Sequence, residues 1–269
     1  KSVEELMAET DVFINSMLEE MRQLMLSDLG LISRMGNPTY CETEPEAILE
    51  DLIGKISEDF PELQEVKYTV KRIHPSMQEH MSPAFYLIPP VDDMENHVIY
   101  INDLQLNEST IYTTMAHEGF PGHLYQNVYT GSQNLPLIRS MFNFSGYTEG
   151  WATYVEYYAY KLGLEDEKLA ELIKLNQAST LGIYSYVDMG IHYLGWDVEQ
   201  VEKYLINYGL GGYGRMLFEL MVEEPANYLS YFIGYMEMEN LRETAEEAWG
   251  ENYSLKKFHE AVLSLGPAP

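Results

Sequence analysis

Apolar residues recur at helical spacing along most of the chain, and one internal stretch breaks that rhythm. Residues 2 to about 29 and the segment EPEAILEDLIGKISEDF, residues 44–60, carry apolar side chains at every third or fourth position, which is typical of amphipathic helices. The first pattern ends at Gly30 and the second just before Pro61, two residue types that commonly follow helices. Residues 1–60 are therefore predicted to be helical.

Residues 61–105 contain short runs of β-branched and aromatic residues instead. The runs are VKYTVKRIH (66–74), AFYLIPP (84–90) and HVIYIN (97–102), and Pro, Asp and Asn separate them. They predict a small antiparallel sheet. Helical spacing returns over residues 106–269, where helices are expected at 109–119, 147–163, 165–178, 180–194, 197–207, 225–249 and 254–266.

The chain shows no internal repeat, low-complexity segment or obvious linker. Its 269 residues, 46% of them hydrophobic, are enough to form a substantial core. The simplest organisation is one domain over residues 1–269, mainly α with a small antiparallel β-sheet, which is an α+β fold.

Charge and composition exclude several classes of function. The net charge is −27, from 43 acidic and 16 basic residues, so binding to nucleic acids or to anionic membrane surfaces is disfavoured. No apolar run approaches the ~18–20 residues that a membrane span requires. The single cysteine, Cys41, excludes an internal disulfide and a cysteine-based zinc site.

The segment MAHEGFPGHLYQ, residues 115–126, resembles the H-E-x-x-H zinc motif but has a wider spacing. His123 follows His117 by six positions instead of four, which on a continuous helix would turn it by ~240° to the far side. Gly119, Pro121 and Gly122 disfavour a continuous helix. We therefore predict a kink that returns His123 toward His117. The alternative is that the two histidines are close only in sequence.

A third ligand is expected from the helix that follows. Glu149 and Glu156 are seven residues apart, so they share a helical face, and Gly, Trp and Tyr surround them instead of Lys or Arg. A solvated acidic stripe is the alternative. Two histidines and a glutamate suit one zinc ion with an open position for water, although cobalt or manganese accept the same ligands. His117, His123 and Glu149 are thus the predicted ligands, and Glu156 would orient a ligand histidine.

Five motifs occur in the order found in one bacterial family. They are HEGFPGH, TEGWATYVE, VDMGIH (187–192), YFIGYMEMENLR (231–242) and KKFHEAVLSLG. From about Tyr100 to its C-terminus the chain resembles the domain-of-unknown-function 885 family, whose members carry H-E-x-x-P-G-H followed by E-G-W-A-x-Y-x-E. The resemblance implies a largely helical zinc metallopeptidase of the gluzincin type. Members are typically about twice this long, so the chain resembles their C-terminal catalytic part.

The resemblance also implies a bacterial protein, its place in the cell and the roles of individual residues. Many members carry a lipoprotein signal, which implies export or lipid anchoring through a further N-terminal region, the alternative being a cytoplasmic protein. Matched position by position, the family motifs place the D-x-G-x-H element on Asp188 and His192, and the Y-x-x-G and L-R positions on Tyr231 and Arg242. Leu124 is a departure, because members often have another histidine there.

The predicted reaction is hydrolysis by an activated water. Zinc would lower the pKa of its water from ~15.7 toward ~7, and Glu118 would act as the general base. His192 and Tyr231 are the candidates for stabilising the oxyanion, with Tyr228 and Tyr235 behind them. Arg242 would bind a substrate carboxylate or form an ion pair.

Three functions fit these residues. The first is a zinc metallopeptidase acting on peptides. The second is a metal-dependent hydrolase of amides or esters in small molecules. The third is a helical binding domain that has lost activity, although the intact Glu118 argues against it.

Overall fold

Helices form most of the structure, and three short strands form one sheet. The computed structural model describes residues 1–268 except residues 91, 94, 137, 140, 141 and 143. The N-terminal and sheet regions contain α1 (Val3–Ser27), α2 (Leu31–Met35), α3 (Pro45–Lys55), β1 (Tyr68–Arg72), β2 (Ala84–Leu87) and β3 (His97–Ile101). The helices that follow are α4 (Ile111–Glu118), α5 (His123–Ser132), α6 (Ser145–Gly163), α7 (Glu167–His192), α8 (Val198–Ile206), α9 (Gly214–Glu223), α10 (Asn227–Trp249) and α11 (Leu255–Leu265).

Polar residues at the helix starts explain several of these boundaries. The Ser2 hydroxyl accepts the backbone N–H of Glu5, whose carboxylate in turn accepts the N–H of Ser2, so a capping box opens α1. Asp197 and Gln200 form the same arrangement at α8. These contacts satisfy N–H groups that the first helical turn leaves free.

The sheet is mixed, so the prediction of an antiparallel sheet was wrong. Its strand order is β1-β3-β2, with β3 parallel to β1 and antiparallel to β2. The chain leaves β1 through a 3₁₀ helix at Pro75–His80 and enters β2 on the far side of the position that β3 later fills. Strand composition does not encode this order, because it is fixed by where the connections cross.

Two predicted helices, 165–178 and 180–194, are one continuous helix, α7. The hydroxyls of Ser179 and Thr180 donate to the carbonyl of Asn176 and so remain compatible with the helix interior. Gly182 is also accommodated, because Phe232 and Ile14 pack against it too closely for a larger residue. The sequence prediction also lacked α5 and α9.

Helix α6 lies at the centre of the packing. It contacts α4, α7 and α10, and its side chains at Trp151, Val155 and Ala159 are fully buried. In the described residues, no helix is both long enough and apolar enough to cross a membrane. Because α6 touches three other helices, it fixes the relative positions of side chains from each of them.

Candidate metal centre

A tight turn divides the histidine motif between two helices. Helix α4 ends at Glu118, and the N–H of Gly122 donates to the carbonyl of Ala116 at 2.9 Å before α5 begins at His123. A Cβ atom on Gly122 would lie 1.8 Å from the carbonyl oxygen of His117, so only glycine fits this position. The Phe120–Pro121 peptide bond is cis. The six-residue spacing is thus accommodated by a turn between helices.

The turn brings both histidines onto one carboxylate of α6. Oε2 of Glu149 lies 3.5 Å from Nε2 of His117 and 3.3 Å from Nε2 of His123. One potential ligand atom from each of the three residues lies within 4.8 Å of the other two. The two imidazole rings are almost perpendicular, at 86°, with centroids 4.7 Å apart. Such a convergence is the arrangement that a His₂Glu metal site requires.

Glu149 Oε2 is the atom that best tests whether a metal fits. It is buried, and no hydrogen bond of acceptable geometry reaches it from any residue that the structure describes. A buried carboxylate oxygen without such a bond is unfavourable. A divalent cation between this oxygen and the two Nε2 atoms would remove that cost, so the donor set fits a metal of the zinc type.

Glu156 lies two turns after Glu149 on the same face of helix α6, and it contacts the ring nitrogen of His117 that is not directed at Glu149. Its Oε2 accepts a hydrogen bond from Nδ1 of His117 at 2.9 Å. This contact fixes the ring orientation and leaves Nε2 directed at Glu149. A carboxylate in this position is the usual partner of a metal-binding histidine.

The pKa values show how strongly these groups are coupled. Burial alone would lower the pKa of His117, but its contacts with Glu149 and Glu156 hold that pKa well above the usual value. Burial also opposes the charge on Glu149, but the two imidazoles lower its pKa to about 2. The cluster is therefore built around an ionised Glu149.

Glu118 points into the same cleft and is held by strand β2. Its Oε2 accepts the backbone N–H of Tyr86 at 2.7 Å. Burial raises the pKa of Glu118, against the lowering effect of His117 and His123. A carboxylate with a raised pKa beside a metal site is suited to accept a proton and release it again.

Tyr231 reaches the cleft because α6 and α10 cross at glycines. A Cβ atom on Gly234 would lie 2.3 Å from the carbonyl oxygen of Gly146, so the two backbones touch there. The Tyr231 ring is stacked on the His117 ring, with an angle of 25° between the ring planes and 6.3 Å between the centroids. Burial and the nearby carboxylates raise the pKa of Tyr231. Its hydroxyl therefore stays protonated and remains a hydrogen-bond donor.

These residues line a cleft of about 430 Å³. One side is formed by the segment that leads into and includes β2, and the other by α4, α5, α6 and α10. The lining residues are Ser82, Pro83, Ala84, Phe85, Tyr86, Thr114, His117, Glu118, His123, Glu149, Glu156 and Tyr231.

Asp188 and His192 form a separate pair near the start of α10. Asp188 is buried, and its Oδ1 accepts a hydrogen bond from Nδ1 of His192 at 2.7 Å. Its Oδ2 accepts the backbone N–H of Ala226, the residue that precedes α10. His192 is exposed and is not among the residues that line the cleft. Asp188 thus positions both His192 and the beginning of the helix that carries Tyr231.

The structure does not bring the remaining candidates, Tyr228, Tyr235 and Arg242, to the cleft. Tyr235 is buried in the core against Phe13 and Tyr157. Tyr228 packs its ring against Tyr184, 5.5 Å away. Arg242 lines a different cavity, where Glu239 accepts its Nε hydrogen at 2.9 Å. The ion-pair alternative thus describes the surroundings of Arg242.

Sequence reasoning missed the contribution of β2. The carbonyl of Pro83 accepts the N–H of Asn102, the residue after β3. Because hydrogen-bonded and non-hydrogen-bonded pairs alternate in an antiparallel ladder, the backbone N–H and C=O groups of Ala84 and Tyr86 point away from β3, toward the open edge of β2. Tyr86 uses its N–H to bind Glu118, which a residue-type pattern cannot reveal. His97 and His259 are both buried and hydrogen-bonded to tyrosines.

Fold and site together define a mainly helical α+β protein with two histidines and a glutamate converging in a cleft. The family described as "Bacterial protein of unknown function (DUF885)" matches residues 10–269. The chain therefore belongs to this bacterial family. No curated protein matches the chain.

Two solved structures share the fold. The crystal structure of the putative lipoprotein from Colwellia psychrerythraea is similar over 100% of this chain and 50% of its own, at 22% identity and a TM-score of 0.79. A putative lipoprotein of unknown function from Shewanella oneidensis is similar over 100% of this chain and 55% of its own, at 20% identity and a TM-score of 0.75. The chain thus spans about half the length of both proteins.

Proposed function

We propose that this protein is a zinc-dependent hydrolase of the gluzincin type and that it acts on peptide bonds. The observation that carries the proposal is the convergence of His117, His123 and Glu149 within 4.8 Å around a buried carboxylate oxygen without a well-formed hydrogen bond. Glu118 lies in the same cleft and would be the general base, a group that a non-catalytic binding domain does not need.

His117, His123 and Glu149 would hold the ion. When bound, the ion would polarise a water molecule and the carbonyl of the substrate. Glu118 accepts a proton from the attacking water and then delivers it to the leaving amine, for which its raised pKa is suited. The Tyr231 hydroxyl donates a hydrogen bond to the oxygen that becomes negative in the transition state.

The open edge of β2 supports a peptide as the substrate. Strand β2 is an outer strand of the sheet and lines the cleft beside Glu118. An extended peptide can bind along such an edge through backbone hydrogen bonds. Ala84 and the carbonyl of Tyr86 lie on that edge. A small amide or ester would leave these groups unused, which favours a peptide over the alternative substrates.

The first test is the metal content of the purified protein and of two histidine variants. We expect near-stoichiometric zinc in the unaltered protein and in His80→Ala, because His80 is exposed and outside the cleft. His123→Ala should lose most of its zinc. Equal zinc in all three proteins, or none in any of them after zinc is supplied, would overturn the ligand assignment.

The second test concerns catalysis. A peptide library should be hydrolysed by the zinc-loaded protein, and Glu118→Gln should bind zinc equally well while its rate falls at least 10²-fold. Stoichiometric zinc without hydrolysis of any peptide, amide or ester would instead support the non-catalytic binding domain. Hydrolysis of small amides or esters alone would support the second alternative.

A further inference from the structure

The charges in the cleft have one sign. Three carboxylates, those of Glu118, Glu149 and Glu156, line it. Among the lining residues that the structure describes there is no lysine or arginine. A divalent ion held by neutral histidines would balance two of the three negative charges, so the cleft would keep a net negative charge with the ion in place.

Arg242, the arginine implied by the family resemblance, does not change the net charge of the cleft. Arg242 lines another cavity, and its guanidinium lies within 3.6 Å of carboxylate oxygens of Glu239, Glu243 and Glu246. A cation already surrounded by three carboxylates is a poor receptor for a fourth. The whole chain adds to the effect, since its net charge of −27 repels anions approaching from solution.

We propose that the cleft accepts peptides that are uncharged or positively charged around the scissile bond and excludes a free C-terminal carboxylate there. The protein therefore does not act as a carboxypeptidase that releases single C-terminal residues. This inference rests on the proposed peptidase function and adds the substrate class to it.

The physical reason is the lack of a partner for a substrate carboxylate. Enzymes that remove C-terminal residues must compensate that carboxylate once it leaves water, and arginine or lysine does this through charge-assisted hydrogen bonds. Apart from the two histidines that would hold the ion, the polar side chains that line the cleft carry hydroxyls or carboxylates. A lysine side chain or an amidated end meets no such penalty.

Matched peptides test the proposal in the zinc-loaded protein. Each member of a short N-acetylated library is made as a free acid and as a C-terminal amide, and with Lys, Gln or Glu beside the scissile bond. We expect kcat/KM to be at least tenfold higher for the amide than for the acid when the scissile bond is the last one. Among the residues beside the scissile bond, kcat/KM should be highest for Lys, lower for Gln and lowest for Glu. These differences should shrink as salt screens the charges.

Binding provides a readout that does not depend on turnover. Calorimetry of the zinc-loaded protein with non-hydrolysable analogues of the same peptides, which keeps all three carboxylates in place, should give the same order of affinities. Ser82, an exposed residue of the cleft lining, offers a gain-of-function variant. Ser82→Arg should improve binding and cleavage of the free acids several-fold, whereas Ser82→Gln, which adds bulk without charge, should not.

The outcomes separate this inference from the function on which it rests. Zinc-dependent hydrolysis that is equally fast for acids and amides, or faster for Glu than for Lys, would overturn the inference and leave the peptidase in place. Neither binding nor hydrolysis of any library peptide would overturn both.

Discussion

Gly150 and Gly234 are in direct contact where α6 crosses α10. A Cβ atom on Gly150 would lie 2.5 Å from the carbonyl carbon of Gly234. Glu149 is the neighbour of Gly150, and Tyr231 lies one turn before Gly234, so this contact places the proposed third ligand and the proposed hydrogen-bond donor in one cleft. The two glycines thus act on function through the distance between two helices.

Replacing Gly234 by alanine should force the helices apart. The new methyl group would meet backbone atoms of Gly146 and Gly150, which cannot rotate away. We expect Gly234→Ala to lower the free energy of unfolding by about 1–3 kcal/mol. Chemical denaturation of the variant and the unaltered protein measures this difference.

Gly146 provides the matched control because a Cβ atom there would have no neighbour within 4 Å. Gly146→Ala should be neutral or should stabilise α6 by up to about 1 kcal/mol, since alanine favours helices more than glycine does. Equal stability of the two variants would show that the crossing tolerates a larger separation than the structure indicates.

Glu156 should contribute to metal affinity without being a ligand. Its hydrogen bond to Nδ1 of His117 orients the ring, and loss of such a partner typically weakens metal binding by about 10–100-fold. We expect Glu156→Gln to show this loss in a competition titration against a chromophoric chelator. Glu260→Gln, at an exposed position on α11, removes the same charge and should leave the affinity unchanged. An unchanged affinity in Glu156→Gln would make Glu156 a cleft carboxylate only.

The residues of the centre were predictable from sequence, whereas the geometry around them was not. The prediction rested on Gly119, Pro121 and Gly122, which break the helix between the two histidines, and on the helical period that separates Glu149 from Glu156. The order of the strands depends on chain crossings, and the hydrogen bond from Tyr86 to Glu118 depends on which edge of β2 faces the cleft. Neither the strand order nor this hydrogen bond can be recognised from the types of the residues involved.

The continuity of α7 shows the same limit from another side. Ser179, Thr180 and Gly182 are weak helix formers, so their composition favours a break. Tertiary packing on Phe232 and local hydrogen bonds outweigh that preference. Arg242 was a candidate through a family motif, and such a motif records an important position but not whether the residue binds substrate or forms ion pairs.

Tyr231 should affect turnover more than binding. If its hydroxyl stabilises the developing negative charge, Tyr231→Phe should lower kcat by ~10²–10³ with little change in KM or in zinc content. Tyr228→Phe is the matched control, because Tyr228 lies on the same helix but packs against Tyr184 outside the cleft lining. A similar small effect in both variants would remove Tyr231 from the mechanism.

His259 should make the stability of the protein depend on pH. The ring is fully buried and stacks on Phe60, Nδ1 donates to the carbonyl of Asp59, and Nε2 accepts from the Tyr154 hydroxyl. This arrangement suits the neutral ring, and burial lowers the pKa of His259 from 6.5 to about 4. As the pH falls below about 6.5 the unfolded chain binds a proton that the folded protein does not.

The free energy of unfolding should therefore fall as the pH decreases from about 6.5 to about 4, and this contribution should level off below pH 4, where both states are protonated. The shift corresponds to about 3 kcal/mol across the window. Burial lowers the pKa of His97 in the same direction, while the pKa of His117 is raised, so the contribution of His259 must be isolated by difference. Denaturation of the unaltered protein and of His259→Gln at several pH values gives that difference. The variant should be less stable near neutral pH, but its free energy of unfolding should change much less between pH 6.5 and 4. Parallel curves of this free energy against pH for the two proteins would mean that the buried ring of His259 does not control this part of the pH dependence.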